Sequence, residues 1–425
     1  MRAPAKLERF RGPGALAALC GGILAVAGCG SSSAKGPGPS HVGEDGQVAE
    51  EVRAQFDEAA AFYREQAQEG WDESRCEAAA DRFDSVADDY PDLVEARYNA
   101  GQAYHQCELL DDARARYEAA LEIEEHGPSI ANIGKIYWAQ GDVERARDKW
   151  EKAVDVDARS IAARNNLAWL LIEEMRETSD RSRFDALEDE ASGHLSRVLA
   201  VENDNIQAYA LYALLYLEGA DRNRARLDIA ELLLDEGSEV KEDYPPFFNA
   251  RGLIELQRNN VSEALNYFHR AVALDPSFLE ARMNVGNIVL SFRNYGGAIE
   301  QFEAVLDAEP ENYDAMVGLG IAKRGLEQFE EAEETYRRAI ELNSSRGLAY
   351  FNLGVLYKDF YANQRAGDLE AAQRAYVQAR DYFQSYLDKD DVTPEGREEA
   401  QANIGDCEQL IDQLDEVIAA QAGQS

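Results

Sequence analysis

Apolar residues recur every three to four positions along nearly the whole chain after residue 48, with charged residues between them. This spacing places the apolar side chains on one face of a helix, whereas a half-buried strand would need strict alternation. The helical period leaves no room for a separate β domain. The pattern therefore predicts an all-α protein built from amphipathic helices.

The helical pattern itself repeats with a period of 34 residues. Small residues, aromatic residues and prolines recur in step, at Gly252, Gly286, Gly320 and Gly354, at Ala264, Ala298 and Ala332, at Phe268, Phe302 and Tyr336, and at Pro276 and Pro310. Glycine and alanine let two antiparallel helices cross closely, and the aromatic residue is expected to fill the gap toward the next unit. Proline cannot continue a helix, so it marks the turn between units.

This order of residues resembles the tetratricopeptide repeat (TPR), and more divergent copies extend the resemblance over most of the chain. The resemblance implies a right-handed superhelical solenoid of about nine helix pairs over residues 48–386. Two insertions are expected within it, near residues 177–187 and 360–367. Residues 387–425 are predicted to form a C-terminal capping helix and tail, because a solenoid must cover its last exposed face.

The first 28 residues have the pattern of an export signal, in which a basic segment precedes an apolar stretch too short to span a bilayer. The run Val26-Ala27-Gly28-Cys29 resembles the lipobox, which implies removal of residues 1–28 and lipid attachment at Cys29. An ordinary secretory signal with a coincidental cysteine is the alternative. Residues 29–47 are rich in small and polar residues, so a flexible tether is expected there.

The chain is strongly acidic, with 81 Asp and Glu residues against 43 Lys and Arg and a net charge of −38. Removing residues 1–28 takes away four basic residues and one acidic residue, which leaves about −41. Nucleic acids and anionic lipid headgroups are poor partners, because no basic face is available to them. A basic partner, divalent cations or a salty habitat would suit this charge, and so would charge that only keeps helix faces soluble.

Asparagine recurs two residues before the repeat glycine, or before Ala168 where alanine replaces that glycine. The series consists of Asn99, Asn132, Asn166, Asn284 and Asn352. An amide both donates and accepts hydrogen bonds, so a row of amides on a concave face is suited to holding the backbone of an extended peptide. The series is similar to the asparagine ladder of O-GlcNAc transferase. The alternative is that asparagine serves only helix packing at this position.

A second candidate surface is apolar. By repeat position, four residues are expected to face the same groove: Val317, Ile321, Phe351 and Val355. Such a patch would suit a helix or strand of a partner protein. A register error of one position would bury these side chains instead.

Three cysteines remain once residues 1–28 are removed and Cys29 is acylated. Cys76 and Cys107 fall near the turns between helices on the same edge of adjacent units, so we predict a disulfide that would hold the N-terminal end of the solenoid together. Cys407 lies in the predicted cap and is expected to be a buried free thiol.

No catalytic residue, metal site or cofactor is predicted, because the chain contains no metal-ligand spacing, phosphate-binding loop or nucleophile elbow. We therefore expect a membrane-anchored scaffold of a cell-envelope complex rather than an enzyme. TPR lipoproteins of this kind serve pilus secretins and envelope-spanning complexes, and the chain also resembles the TPR lipoprotein of the myxobacterial adventurous gliding-motility apparatus. Gly30 after the acylated cysteine favours the outer membrane, facing the periplasm. The alternative function is a periplasmic chaperone or carrier that binds extended polypeptides.

Overall fold

The computed structural model describes residues 46–364 and 367–422. The predicted signal peptide, Cys29 and nearly all of the predicted tether lie outside these residues. Every regular element of the described residues is helical, so the prediction of an all-α protein is confirmed.

The described chain forms two compact units, residues 46–242 and residues 243–422. The helices of the first unit are α1 (Gly46–Glu69), α2 (Glu73–Asp89), α3 (Val94–Gln106), α4 (Leu110–Ile123), α5 (Gly127–Ala139), α6 (Val143–Val156), α7 (Ile161–Glu177), α8 (Arg181–Val201), α9 (Ile206–Leu217) and α10 (Ala225–Val240). The helices of the second unit are α11 (Pro245–Gln257), α12 (Val261–Leu274), α13 (Leu279–Ser291), α14 (Tyr295–Ala308), α15 (Tyr313–Gly325), α16 (Phe329–Leu342), α17 (Leu348–Leu356), α18 (Leu369–Leu387) and α19 (Pro394–Ala422).

Successive helices pack as pairs, from α1 with α2 to α17 with α18, and α19 packs against α18. We call the first helix of each pair the A helix and the second the B helix. The described residues thus contain nine pairs and one further C-terminal helix, in agreement with the repeat count expected from the sequence. Pro276 and Pro310 lie in the turns after the B helices α12 and α14, where they were predicted.

The repeat glycines lie directly against the B-helix aromatic residue of their own pair. A Cβ atom on Gly320 would come within 2.4 Å of Tyr336, and one on Gly286 within 2.8 Å of Phe302. No side chain larger than hydrogen fits these places without moving a fully buried ring. The aromatic ring thus occupies the space between the two helices of its own pair. This corrects the expectation that it faces the next unit. Phe302 does both, since a Cβ on Gly318 of the following pair would also lie 2.6 Å from it.

Five A helices end in a turn whose middle residue has a positive φ angle. These residues are Glu108, Gly141, Asn259, Arg293 and Glu327. In the turn after α13, Asn294 N donates to Val289 O and Arg293 N donates to Leu290 O, both at 2.9 Å. This is a Schellman motif, which satisfies the last carbonyl groups of a helix and reverses the chain toward the B helix.

Both predicted insertions consist mainly of helix where the structure describes them, although residues 178–180 form the loop between two helices. The segment 177–187 ends α7 and begins α8, so it lengthens the two helices of the fourth pair. In the last pair, a π-helical turn (Tyr357–Tyr361) and a short helical turn (Ala362–Gln364) extend α17. An inserted segment in a helix pair thus adds helical turns here, because the added residues continue an existing hydrogen-bond ladder.

The C-terminal helix α19 covers the B helix α18. Ala400 and Cys407 are fully buried in this contact. Lys358 Nζ of the preceding A-helix extension donates to Asn403 Oδ1 and Asp406 Oδ2 of α19, both at 2.7 Å. The helix occupies the place that the A helix of a further pair would take, which agrees with the predicted role of a cap.

Candidate functional site

Side chains two residues before, one residue after and four residues after the repeat glycine form one face of each A helix, which we call the A-helix face. The predicted asparagine series belongs to this face. Asn132, Asn166, Asn284 and Asn352 are only 2–8% exposed, and Asn99 is half-buried. Four of the five side chains are therefore buried, whereas a row of amides that binds a peptide would need to be accessible to it.

Two asparagines of the series join neighbouring A helices. Asn132 Nδ2 donates to Gln102 Oε1 at 2.9 Å and to Tyr98 OH at 3.4 Å. Asn284 Nδ2 donates to Asn249 Oδ1 at 2.9 Å. These contacts give the amides a structural role between pairs.

Two further members bond to their own helix. Asn99 Nδ2 donates to Glu95 O at 2.7 Å, and Asn352 Nδ2 donates to Leu348 O at 2.9 Å. Packing therefore accounts for the positions of these amides, and contact of the series with a peptide stays a prediction.

Asn166 is the member without a partner. It is 2% exposed, and its Nδ2 has no acceptor among the described residues. The reason lies in the preceding pair, where the place of Gln102 is taken by Lys135, a donor that cannot accept a hydrogen bond. Trp169 Nε1, three residues further on, is also buried without an acceptor. Its ring packs edge-on against Trp138, with ring centroids 4.4 Å apart.

The predicted apolar patch is only partly accessible. Val317 is 1% exposed, because it is buried in a cluster with Ala349 and Leu353 of the next A helix. Val317 is therefore not a groove residue, which corrects its assignment. Phe351 is half-buried and its ring lies 5.4 Å from that of Phe383, inside its own pair.

Ile321 and Val355 each follow a repeat glycine by one residue, and both are half-buried. They also contact the core cluster of the last two pairs. Of the four predicted patch residues, these two therefore combine a place on the A-helix face with a partly accessible side chain.

The second pair carries a polar cluster that the sequence did not suggest. Tyr117 OH donates to Gln102 Oε1 at 2.7 Å and lies 3.3 Å from His105 Nδ1. Burial and the charge of Lys135 lower the pKa of His105 to about 4. The imidazole is therefore neutral at pH 7, and its two nitrogens provide one donor and one acceptor on this face.

The corresponding residues of the eighth pair lack such bonds. Tyr336 is fully buried, and its hydroxyl has no hydrogen-bond partner among the described residues. Arg324, four residues after Gly320, also has a buried nitrogen, Nη1, without an acceptor. Sequence reasoning missed both residues. The available signal was tyrosine in a place where neighbouring repeats have phenylalanine, together with arginine on the A-helix face.

The structure joins Cys76 and Cys107 in a disulfide, with Cα atoms 6.3 Å apart. Cys76 lies in the first turn of α2 and Cys107 at the end of α3, so the bond ties the first two pairs together. Cys407 is a buried free thiol, and burial raises its pKa to about 11. This thiol is therefore protonated at neutral pH and a poor nucleophile.

Within residues 46–364 and 367–422, no helix has both the length and the apolar character needed to cross a membrane. The same residues contain no group of three or more His, Cys, Asp or Glu side chains arranged to hold a metal ion. The lipidation site predicted at Cys29 lies outside the described residues.

The family model of the tetratricopeptide repeat matches residues 64–128, 132–194, 249–313, 289–345 and 317–394, which together make up more than half of the chain. BBSome complex member BBS4 of Bos taurus is 22% identical over 262 residues, which are 62% of this chain and 47% of that protein. Protein O-mannosyl-transferase TMTC3 of Homo sapiens is 24% identical over 151 residues, which are 35% of this chain and 15% of that protein.

The chain therefore spans about half the length of the first of these relatives and much less of the second. Among solved structures, a tetratricopeptide repeat protein from Parabacteroides merdae ATCC 43184 is similar with 17% identity and a TM-score of 0.41. That match covers 59% of this chain and 93% of the other.

Proposed function

Because the chain belongs to the tetratricopeptide repeat family, we propose that it is a membrane-anchored scaffold that holds other proteins of a cell-envelope complex. Repeats of this family bind protein partners. The observation that carries the proposal is the A-helix face, which presents half-buried polar and aromatic side chains in the first unit and half-buried polar and apolar side chains in the second. Such a surface is suited to a polypeptide, since it offers hydrogen bonds and apolar contact together.

A place in the cell envelope is the second part of the proposal. The export signal in residues 1–28 and lipid attachment at Cys29 would put the chain on the outer membrane, facing the periplasm. The disulfide between Cys76 and Cys107 supports an exported protein, because such bonds persist in oxidising compartments. The resemblance to TPR lipoproteins suggests motility, pilus or secretion assemblies as the complex, the myxobacterial gliding apparatus among them.

Catalysis is not part of the proposal. One relative is a protein O-mannosyl-transferase, but the matched segment is 15% of that protein, so its activity does not carry over. The relative BBS4 is a member of the BBSome complex, and membership of a complex is the kind of role proposed here.

Photo-crosslinking in intact cells tests the scaffold. A photoreactive amino acid at Ile321 would lie on the A-helix face, and the same amino acid at the exposed Arg338 of α16 is the matched control. We expect the Ile321 position to capture one or two envelope proteins reproducibly, and the Arg338 position to capture none of them. Capture of many nascent outer-membrane proteins at Ile321 would instead identify a chaperone or carrier. Equal capture at both positions would contradict the proposal.

The anchor is tested in the same cells. The unaltered chain should sediment with the membranes and incorporate an alkyne-labelled fatty acid supplied to the cells, whereas Cys29→Ser should lose the label, because it removes the acylation site. If the Cys29→Ser protein carries the label to the same extent, Cys29 is not the anchor.

A further inference from the structure

The hydroxyl group of Tyr336 points to a ligand that the described chain does not supply. Its counterpart in the second pair, Tyr117, reaches the A-helix face and bonds to Gln102, the residue after the repeat glycine. In the eighth pair the residue after the repeat glycine is Ile321, which cannot accept a hydrogen bond. The Tyr336 hydroxyl is therefore left buried and without a partner.

The guanidinium of Arg324 takes the place of His105 in this comparison. Arg324 stands one helical turn after Gly320, which packs against the Tyr336 ring. Burial raises the pKa of the Tyr336 hydroxyl, and the charge of Arg324 lowers it in part. Other arginines of this unit are paired: Arg337 bonds to Glu333, and Arg346 bonds to Asp314. Arg324 makes no ion pair with the described residues, although the chain has 81 acidic residues.

Two neighbouring donors thus share the lack of an acceptor. A buried donor without a partner costs free energy, and the cost is larger for a charged donor. A carboxylate would satisfy both, since it is planar, negatively charged and accepts several hydrogen bonds, from guanidinium most favourably. Nη1 of Arg324 is enclosed, but the residue as a whole is half-buried, so part of its side chain is accessible to a group on the A-helix face.

In the following pair, a cation at the same repeat position already binds a carboxylate. Lys358 stands four residues after Gly354, as Arg324 stands four residues after Gly320. Its ammonium group receives a carboxylate from Asp406 of α19, at 2.7 Å. In this unit, a cation at that repeat position therefore binds a carboxylate carried by another segment of polypeptide.

We propose that Arg324 and Tyr336 form a binding site for a carboxylate side chain of an extended partner polypeptide, whose neighbouring apolar residues contact Ile321 and Val355. The inference rests on the proposed function, because it assumes that the A-helix face holds a polypeptide, and it adds the chemistry of the partner. The positive charge of Arg324 would thus attract an acidic residue at this site, although the chain as a whole is negatively charged.

The test uses the mature full-length chain and two fluorescein-labelled peptides, one of alternating leucine and aspartate and one of alternating leucine and asparagine. Fluorescence anisotropy at about 150 mM salt, where surface fields are screened beyond roughly 8 Å, measures their affinities. We expect the aspartate peptide to bind about tenfold more tightly or better, as for hydrogen bonds to charged groups. Arg324→Gln should remove this preference.

Two further variants separate a binding role from a structural one. Tyr336→Phe should weaken the aspartate peptide about threefold or more without lowering thermal stability, because Phe268 and Phe302 fill the same place in other pairs. Arg338→Gln removes an equal charge from an exposed position of α16 and should change affinity less than twofold.

The carboxylate site is overturned if Arg324→Gln binds the aspartate peptide as tightly as the unaltered chain, or if Arg338→Gln weakens it equally. It is also overturned if neither peptide binds. Equal affinity for both peptides, lost on substitution of Ile321, would overturn the carboxylate site but leave the scaffold standing. The crosslinking result at Ile321 tests the scaffold independently of all these outcomes.

Discussion

His105 shows how one buried residue on the A-helix face couples the first unit to pH. Its pKa is lowered to about 4 in the folded chain, first by burial and second by Lys135, from an ordinary value of 6.5. Between about pH 6.5 and pH 4, His105 is protonated in the unfolded chain but stays neutral in the folded chain. The group therefore supports folding above pH 6.5, and this support is lost as the pH falls from 6.5 toward 4.

We predict that His105→Gln removes this loss. Between pH 7 and pH 5, the unfolding free energy of the unaltered chain should fall by about 1–2 kcal/mol more than that of the variant. The four tryptophans all lie in the first unit, so their fluorescence during urea unfolding reports on it. His269→Gln, at an exposed position of the second unit, is the control. Parallel pH profiles for the unaltered chain and His105→Gln would refute the prediction.

Among the elements, the turns after the A helices carry the clearest local strain. Glu327 has a φ of 63°, in the left-handed region that only glycine enters without steric cost. The corresponding residue Gly141, with a φ of 77°, is a glycine, so the fold accepts glycine there. The Schellman bonds of the turn use backbone atoms alone, so they do not require the Glu327 side chain.

Glu327→Gly should therefore stabilise the second unit by roughly 0.5–1 kcal/mol, the relief of strain less the greater freedom of glycine in the unfolded chain. Urea unfolding followed by circular dichroism measures the change. Glu334→Gly, at an exposed position in the interior of α16, is the control and should lose about 1 kcal/mol, because glycine is unfavourable inside a helix. Destabilisation by both substitutions would show that the turn is not strained.

The sequence predicted the helix pairs well because their determinants are local and steric. Gly320 recurs in register since any larger residue would collide with Tyr336, and this constraint leaves a period that can be seen in the sequence. Burial of Val317 could not be predicted in the same way, because it depends on how closely the next A helix approaches. The partners of Asn132 and Asn284 were missed for the same reason, since both lie on a neighbouring A helix.

At the scale of the whole molecule, stability in a repeat protein is local, because each pair contacts mainly its neighbours. The terminal pairs have a neighbour on one side only and are the first to open. α19 covers the last pair through Lys358 and Cys407. At the other end of the described chain, the disulfide between Cys76 and Cys107 ties the first pair to the second.

We predict that the disulfide determines the stability of the first two pairs and has no effect on the second unit. The bond closes a loop with a sequence separation of 31, for which the loss of unfolded-state entropy stabilises by about 3–4 kcal/mol. Substituting both Cys76 and Cys107 by serine should therefore speed amide hydrogen exchange in residues 50–123 and leave exchange in residues 313–387 unchanged. Reductant should act on the unaltered chain and on Cys407→Ala alike. If exchange rises equally in both regions, the two units do not unfold independently, and the disulfide supports the whole chain instead.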